Sequence, residues 1–286
     1  ACHGTFLSKF ADDTKIGKEI TSILDCHQLQ YALNELVQWS TQWDMKIHPN
    51  KCHVVHFGPK NPEHVYYIDG SALTPVEDVR DLGVIVSSNS SHTKHINTIA
   101  KKAHGILSQM KRMITYRDSR VFPRIYRTYV RPSLEYCVQA WNPSKVEDVQ
   151  TLEKVQRRAL RMVTDQGSIK YEEKLQRLGM TTLQERRKRG DLLEVYKILN
   201  NMSGLNSADF FEFVPDRHSV ETRSYVENLL VPEKCRLNVR KHFFSCRVVN
   251  DWNALPSSIR NATSVNAFKN EYDMYTSHVI DQALHT

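Results

Sequence analysis

The sequence predicts an α+β fold, in which a small antiparallel β region is followed by a mainly α-helical region and a mainly helical C-terminal region. Two patterns support this prediction. Short segments of alternating apolar and polar residues extend to about residue 87, and apolar residues then recur at spacings of three and four. The small polar run Ser87-Ser88-Asn89-Ser90-Ser91 separates the two patterns. We therefore predict three regions, residues 1–87, 92–200 and 201–286, with the first boundary at this run.

The β region begins with two short strands, residues 4–10 and 14–17, on either side of the adjacent carboxylates Asp12 and Asp13. Aspartate suits a turn between two such strands. A helix is predicted to begin near Asp25, which is a candidate N-cap. Its apolar residues define one buried face, and both of its tryptophans are expected in the core. The members of this apolar stripe are Leu29, Leu33, Leu36, Trp39 and Trp43.

Further short strands are predicted before the polar run. Residues 53–57 and 65–69 alternate and are expected to pair across a loop rich in Gly and Pro. Residues 73–76 and 82–86 add two more strands. Turns or close backbone approaches are expected at Asp69-Gly70 and Leu82-Gly83.

Helical periodicity dominates the rest of the chain. An irregular stretch from residue 200 to about residue 239 interrupts it. The candidate helices are residues 92–114, 119–141, 146–164, 171–178, 183–200, 243–252 and 265–275.

The composition is that of a globular chain. Of 286 residues, 40% are hydrophobic and 25% are charged, which excludes a largely disordered protein. No apolar run approaches the length of a transmembrane helix, and no signal peptide is recognisable. We therefore expect no membrane partner and an intracellular location, nuclear or cytoplasmic. Because the chain begins with Ala1 rather than Met, we also expect a piece of a longer reading frame.

The cysteines are dispersed, and none belongs to a CxxC pair or to a compact Cys/His group. A zinc module is therefore not predicted, and in the absence of a secretory signal these thiols are expected to be reduced. They are Cys2, Cys26, Cys52, Cys137, Cys235 and Cys246.

The positive charge is concentrated in one segment. Residues 94–131 hold ten basic residues and one acid, Asp118, whereas the formal net charge of the whole chain is +7. The rest of the chain is therefore slightly acidic. A local basic surplus of this kind indicates a surface that binds a polyanion.

The adjacent carboxylates Asp12 and Asp13 are candidates for metal binding. Carboxylates in a tight turn offer the hard oxygen ligands that Mg²⁺ prefers. Two such ions would activate a hydroxyl nucleophile and stabilise a departing pyrophosphate. An Asp pair also occurs in ordinary surface turns, and the pair alone does not decide between the two readings.

Wider sequence context adds a resemblance to a known family. Phe10-Ala11-Asp12-Asp13 resembles the catalytic palm box, usually aromatic-Ala-Asp-Asp, in the reverse transcriptases of non-LTR, LINE-type retrotransposons, in particular the jockey-like group. By this resemblance, Asp12 and Asp13 are catalytic metal ligands, and Mg²⁺ is the cofactor of the intact enzyme.

Two further palm positions are implied by the same resemblance. Lys51 matches the loop lysine that is proposed to protonate the leaving pyrophosphate, although Ile47-His48 stands where the family usually has Phe-Asn. Asp81-Leu82-Gly83-Val84 resembles the hairpin that grips the primer terminus, which makes Leu82 and Gly83 primer-grip candidates. An ordinary strand turn is the alternative reading of Leu82-Gly83.

The resemblance extends over almost the whole chain. Lys154-Val155-Gln156-Arg157-Arg158-Ala159 and Trp252-Asn253-Ala254-Leu255-Pro256 are similar to thumb and C-terminal stretches of these enzymes. It implies that residues 1–87 are the C-terminal part of a reverse transcriptase palm, residues 92–200 a helical thumb-like region and residues 201–286 a mainly helical C-terminal region.

A thumb holds nucleic acid through phosphates, and the basic segment supplies the charge. Four of its arginines fall at helical spacing and are expected to form one stripe, for which a solvated helix face is the alternative. Tyr126 and Tyr129 are expected in the core rather than as stacking platforms. The predicted nucleic-acid-binding residues are Lys101, Lys102, Lys111, Arg112, Arg120, Arg124, Arg127 and Arg131.

The expected partners are an RNA template and a DNA primer, or a hybrid duplex, with no small molecule beyond the dNTP of the intact enzyme. We expect the isolated chain to lack polymerase activity, because the family's earlier palm aspartate and its fingers precede the Asp12-Asp13 box. A non-catalytic RNA- or duplex-binding module is the alternative function. A helical scaffold that touches no nucleic acid is a third.

Overall fold

Residues 4–214 and 228–284 are described by a computed structural model, and the chain divides between His95 and Ile96 into two units. Within these residues the first unit holds eight strands in four two-stranded sheets, together with one long helix, and the second is helical. The predicted α+β class is therefore confirmed. The β region is not wholly antiparallel, however, because one of its four sheets is parallel.

The first unit opens with a β-hairpin. Strands β1 (Thr5–Phe10) and β2 (Asp13–Lys18) pair antiparallel with Phe10 opposite Asp13, so that Ala11 and Asp12 form the turn. The predicted strand pair is thus confirmed. The side chains of Phe6, Leu7 and Phe10 are exposed on this hairpin.

Helix α1 (Ile23–Gln42) starts one turn earlier than predicted. Its N-cap is Ser22, and Asp25 lies at the third helical position, where the two residues form a reciprocal capping box. Hydrogen bonds from Ser22 and Thr21 hold the pKa of the Asp25 carboxyl below its ordinary value. The proposed N-cap role of Asp25 is therefore wrong, but the residue still fixes the start of the helix.

The prediction that both tryptophans of this helix lie in the core is also wrong. Trp39 is 40% exposed and Trp43 is 64% exposed. The buried stripe of α1 instead runs through Cys26, Leu33 and Ser40. The core beneath it is small, so it has no room for two indoles. It is built from the buried residues Leu33, Tyr66, Ile68 and Leu73.

The middle strands pair differently from the prediction. Strand β3 (His53–Val54) does not pair with strand β4 (Tyr67–Ile68), because the Asp69-Gly70 turn folds β4 back onto strand β5 (Ser71–Ala72). Both turn residues have positive φ, 49° for Asp69 and 73° for Gly70, a conformation that this dipeptide favours. Strand β6 (Thr74–Pro75) then pairs in parallel with β3.

A second hairpin closes the unit. Strands β7 (Asp78–Asp81) and β8 (Val84–Ser87) pair antiparallel around the predicted turn at Leu82-Gly83. The φ angles of these two residues are +45° and +90°, respectively. Leu82 therefore occupies a left-handed conformation that costs a residue with a Cβ about 1 kcal/mol.

Twelve helices follow α1 within the described residues. They are α2 (Thr93–Met113), α3 (Phe122–Tyr129), α4 (Arg131–Glu135), α5 (Val138–Trp141), α6 (Val146–Arg161), α7 (Tyr171–Arg177), α8 (Leu183–Leu199), α9 (Asn238–Lys241), α10 (Phe244–Arg247), α11 (Val249–Asn253), α12 (Ser257–Arg260) and α13 (Val265–Leu284). Five of the seven predicted helices are confirmed, whereas the single helix predicted over residues 243–252 is wrong, because two short helices replace it.

The single helix predicted over residues 119–141 is wrong, because three short helices, α3 to α5, replace it. Pro132 has no N–H to continue the hydrogen-bond ladder of α3, which therefore ends at Tyr129. Cys137, with a φ of +53°, then separates α4 from α5.

The second unit has a large aromatic core. The ring of Phe268 on α13 packs between Tyr196 of α8, at a centroid distance of 4.8 Å, and Trp252 of α11, at 6.2 Å. The indole N–H of Trp252 donates to the carbonyl of Asn228. Part of the predicted irregular stretch, residues 215–227, lies outside the described residues.

Candidate functional site

The Asp12-Asp13 pair lies at the tip of the first hairpin. Asp12 is in the turn and Asp13 is the first residue of β2, and both are exposed. The turn is tight because Ala11 takes a φ of +52°. Two adjacent carboxylates are therefore presented to solvent by a short, paired element, as the sequence predicts for this turn.

The structure connects this hairpin to the primer-grip candidates. Lys15 on β2 forms an ion pair with Asp81, the last residue of β7, directly before the Leu82-Gly83 turn. Asp13 and Lys15 point to the same side of β2, because side chains alternate along a strand. The Lys15–Asp81 ion pair therefore joins the hairpin that carries Asp12 and Asp13 to the hairpin that carries the Leu82-Gly83 turn.

Lys51 lies on another segment of the same unit. It ends a short 3-10 turn, Pro49–Lys51, and its side chain is exposed. Pro49 favours this turn because its φ is fixed and its missing N–H is not needed at the first position. Cys52, the next residue, packs against the core of the unit and anchors the turn.

A basic face lies on α2 in the second unit. The opposite side of this helix is buried through Ala100, Ala103, Leu107 and Met110. Lys101 and Arg112 lie about three turns apart and so point in the same direction. The helix contains no acid. Its exposed basic residues in this unit, which we call the α2 basic face, are Lys101, Lys102, Lys111 and Arg112.

The predicted stripe of four arginines is not formed. Arg120 precedes α3 and bonds to Asp118, while Arg124 is exposed on α3. Arg127 donates to the carbonyls of Leu178 and Gly179 at 2.7 and 2.9 Å, where it caps the end of α7. Arg131 begins a separate helix and is half-buried beside Glu135, at 3.5 Å.

The two predicted core tyrosines differ in position. Tyr126 is buried, as predicted, and burial raises the pKa of its phenol. Tyr129 is 65% exposed, so its assignment to the core is wrong. Tyr129 is the last residue of α3 and is not among the buried residues of that helix, which are Phe122, Pro123 and Tyr126.

A buried polar chain, which sequence reasoning did not predict, joins several helices near Tyr126. The Tyr126 hydroxyl donates to the amide oxygen of Gln156 at 3.1 Å. The Gln156 amide nitrogen donates to the Tyr171 hydroxyl and to the Thr181 carbonyl. Tyr171 in turn donates to Glu153 at 2.9 Å. The segment around Gln156, which resembles a thumb stretch in sequence, is therefore partly an internal structural element.

A second polar group lines a cavity of about 190 Å³. Arg187, only 1% exposed, donates from Nε to Asn142, and Asp191 accepts two hydrogen bonds from Arg247 at 3.0 Å. Burial lowers the pKa of Arg187 and raises that of Asp191. The basic run at residues 186–189 is therefore partly internal.

Comparison with known proteins finds distant relatives of the chain. It is distantly homologous to the RNA-directed DNA polymerases of jockey-like mobile elements, as its motifs indicate. No family model matches the chain, and no solved structure matches it.

Three relatives define the similarity. The polymerase from mobile element jockey of Drosophila funebris is 24% identical over 165 residues, which are 55% of this chain and 18% of the relative. That of Drosophila melanogaster jockey is 22% identical over 163 residues, with the same shares. The probable RNA-directed DNA polymerase from transposon BS of Drosophila melanogaster is 22% identical over 169 residues, 56% of this chain and 18% of the relative. The match thus spans under a fifth of each relative.

Across residues 4–214 and 228–284, no helix combines the length and the apolar character that a membrane crossing requires.

Proposed function

We propose that this chain contributes a metal-binding Asp pair and a template-primer-binding surface to an RNA-directed DNA polymerase of a non-LTR retrotransposon. The observation that carries the proposal is the distant homology to jockey-type polymerases in a chain that presents both an exposed acidic tip and the α2 basic face. These two features match the two requirements of the reaction, a metal site and a phosphate-binding surface.

In the first unit, Asp12 and Asp13 are the proposed Mg²⁺ ligands. The donor set fits the ion, since two exposed carboxylates offer oxygen ligands and leave room for the waters that Mg²⁺ retains. Bound Mg²⁺ supplies positive charge that favours ionisation of a primer hydroxyl. Lys51 donates a proton to the departing pyrophosphate, and the Leu82-Gly83 turn positions the primer end.

In the second unit, the α2 basic face and Arg124 bind the phosphates of the duplex. Phosphate contacts of this kind give affinity without reading sequence. Arg127 and Arg131 are not part of this surface, because their guanidinium groups are engaged with protein carbonyls or with Glu135.

Charge reversal tests the binding surface. Lys101→Glu with Arg112→Glu should weaken binding of an RNA–DNA hybrid by about tenfold or more at moderate salt, because two phosphate contacts become repulsive. Fluorescence anisotropy with a labelled hybrid measures this change. The matched control is Lys145→Glu with Lys170→Glu, an equal change in charge at two exposed sites before α6 and α7. Equal weakening by both pairs would refute a local surface.

Primer extension tests the catalytic part. The family has a further aspartate and its nucleotide-binding fingers before the Asp-Asp box, and residues 1–9 of this chain contain no Asp. We therefore expect the purified 286-residue polypeptide, given Mg²⁺, dNTPs and a primed RNA template, to extend no primer. Extension that depends on Asp12 would overturn this expectation.

A non-catalytic binding module is the second candidate function, and the α2 basic face supports it because that face needs no catalytic partner. Both candidates predict duplex binding. Only the polymerase candidate predicts an in-frame palm aspartate encoded just upstream, which the adjoining genomic sequence tests.

A further inference from the structure

Cys235 and Cys246 do not have the sequence spacing of a usual metal-binding motif, but they lie close together in the C-terminal part of the second unit. Glu233 and Cys235 lie on the segment after Leu230, and Cys246 lies on α10. One side-chain ligand atom from each of the three residues lies within 4.8 Å of the others. The cysteines are dispersed along the sequence, but the fold brings these two together with a carboxylate.

Firm contacts hold the segment that carries Glu233 and Cys235. Leu230 is fully buried, and its backbone N–H and carbonyl both bond to the Asn253 side chain, at 3.0 and 2.8 Å. The Val231 N–H donates to the Glu212 carbonyl at 2.8 Å. The segment is therefore anchored to the core only two residues before the cluster.

The helix that carries Cys246 is equally fixed. Phe244 and Ser245 of α10 are buried, and the ring of Phe244 packs against Phe211 at a centroid distance of 6.1 Å. Cys246 is half-buried. Its position relative to Glu233 thus rests on two separately anchored elements rather than on one mobile loop.

The contacts inside the cluster show where its atoms point. The Cys246 thiol donates to Oε2 of Glu233 at 3.3 Å, and the Cys235 thiol is 3.6 Å from the Glu233 carbonyl oxygen. Arg240 donates to the Glu233 carboxylate from Nε and from Nη2, the latter at 2.6 Å. Arg240 thereby fixes the carboxylate, which keeps unused lone pairs for a further partner.

We propose that Cys235, Cys246 and Glu233 form a binding site for a thiophilic divalent cation of the zinc class. Two sulfur ligands and one carboxylate suit Zn²⁺, with water as a fourth ligand, and soft thiolates disfavour Mg²⁺ and Ca²⁺. Two thiolates and Glu233 carry three negative charges. The cation and Arg240 balance them.

Cadmium titration tests the site. Cd²⁺ bound by thiolates gives an ultraviolet charge-transfer band, so the reduced, metal-free full chain should develop this band at about one equivalent of Cd²⁺. Zn²⁺ should displace Cd²⁺ and remove the band. Cys235→Ser or Cys246→Ser should weaken binding by about tenfold or more, because each removes a direct ligand.

Two controls make the result decisive. Cys137→Ser removes an exposed thiol outside the cluster and should leave the band unchanged. Glu233→Gln keeps both thiols and should weaken binding without abolishing the band. Far-UV circular dichroism checks that each variant is folded.

Three outcomes would overturn the proposal. One is an absent band in the unaltered chain. Another is a band that Cys137→Ser lowers as much as Cys246→Ser does. The third is a cluster that forms a Cys235–Cys246 disulfide on mild oxidation but, once reduced again, takes up no cation.

Discussion

Gln156 is a fully buried polar side chain whose amide makes three hydrogen bonds. We expect Gln156→Leu to lower the free energy of unfolding by about 2–4 kcal/mol, because the Tyr126 hydroxyl and the Thr181 carbonyl both lose their buried partner. Urea denaturation followed by circular dichroism measures this change.

The matched control for this variant is Gln150→Leu, an exposed position on the same helix. It should change stability by no more than about 0.5 kcal/mol. Equal effects of the two substitutions would show that the hydrogen bonds of Gln156 contribute nothing measurable.

At the residue scale, the sequence correctly predicts the environment of a side chain when that environment depends on residues nearby in the sequence. The exposed Asp12-Asp13 turn is one case, because the four consecutive residues 10–13 are sufficient to predict the turn. Arg127 is the opposite case. Its acceptors, the carbonyls of Leu178 and Gly179, are remote in sequence, so nothing in the local pattern separates it from the exposed Arg124.

The Cys235–Cys246 pair was missed for the same reason. Each cysteine is isolated in sequence, and only the anchored segment after Leu230 brings the two together. A spacing rule for metal ligands detects sites within one loop or knuckle. It does not detect a site assembled from two separately folded elements.

At the scale of elements, the Leu82-Gly83 turn holds a leucine at a φ of +45°, and its side chain is 46% exposed. Asn tolerates this conformation better than Leu does. We therefore expect Leu82→Asn to raise the free energy of unfolding by about 1 kcal/mol, measured by thermal or urea denaturation.

Leu205→Asn is the control for the turn, since Leu205 is similarly exposed at 44% but has no positive φ. This variant should leave stability unchanged within about 0.5 kcal/mol. If Leu82→Asn stabilises the protein no more than Leu205→Asn does, the left-handed leucine carries no strain.

Helices were predicted well where their apolar stripe is long, as in α2, α6 and α8. The single helix predicted over residues 119–141 was wrong because the apolar periodicity continues through Pro132 and Cys137, whereas the helical backbone is interrupted there. The predicted partner of β3 was wrong because apolar-polar alternation identifies a strand but not the strand that it pairs with. The Asp69-Gly70 turn instead pairs β4 with β5.

At the scale of the whole molecule, charge is the property that sequence predicted most directly. Net charge depends only on composition, so the basic surplus of residues 94–131 is predictable without knowledge of the fold. The sequence alone does not predict which of these basic side chains are exposed to solvent. Arg127 and Arg131 are engaged inside the second unit, so the surface that we propose for phosphate binding consists of the α2 basic face and Arg124.

The salt dependence of hybrid binding tests the central claim most directly. If the α2 basic face and Arg124 contact about five phosphates, the logarithm of the association constant should fall linearly with the logarithm of salt concentration, with a slope of about −4 to −5. In Lys101→Glu with Arg112→Glu, the slope should become shallower by about 2. A slope near zero for the unaltered chain, or an unchanged slope in this variant, would contradict a nucleic-acid-binding role for this face.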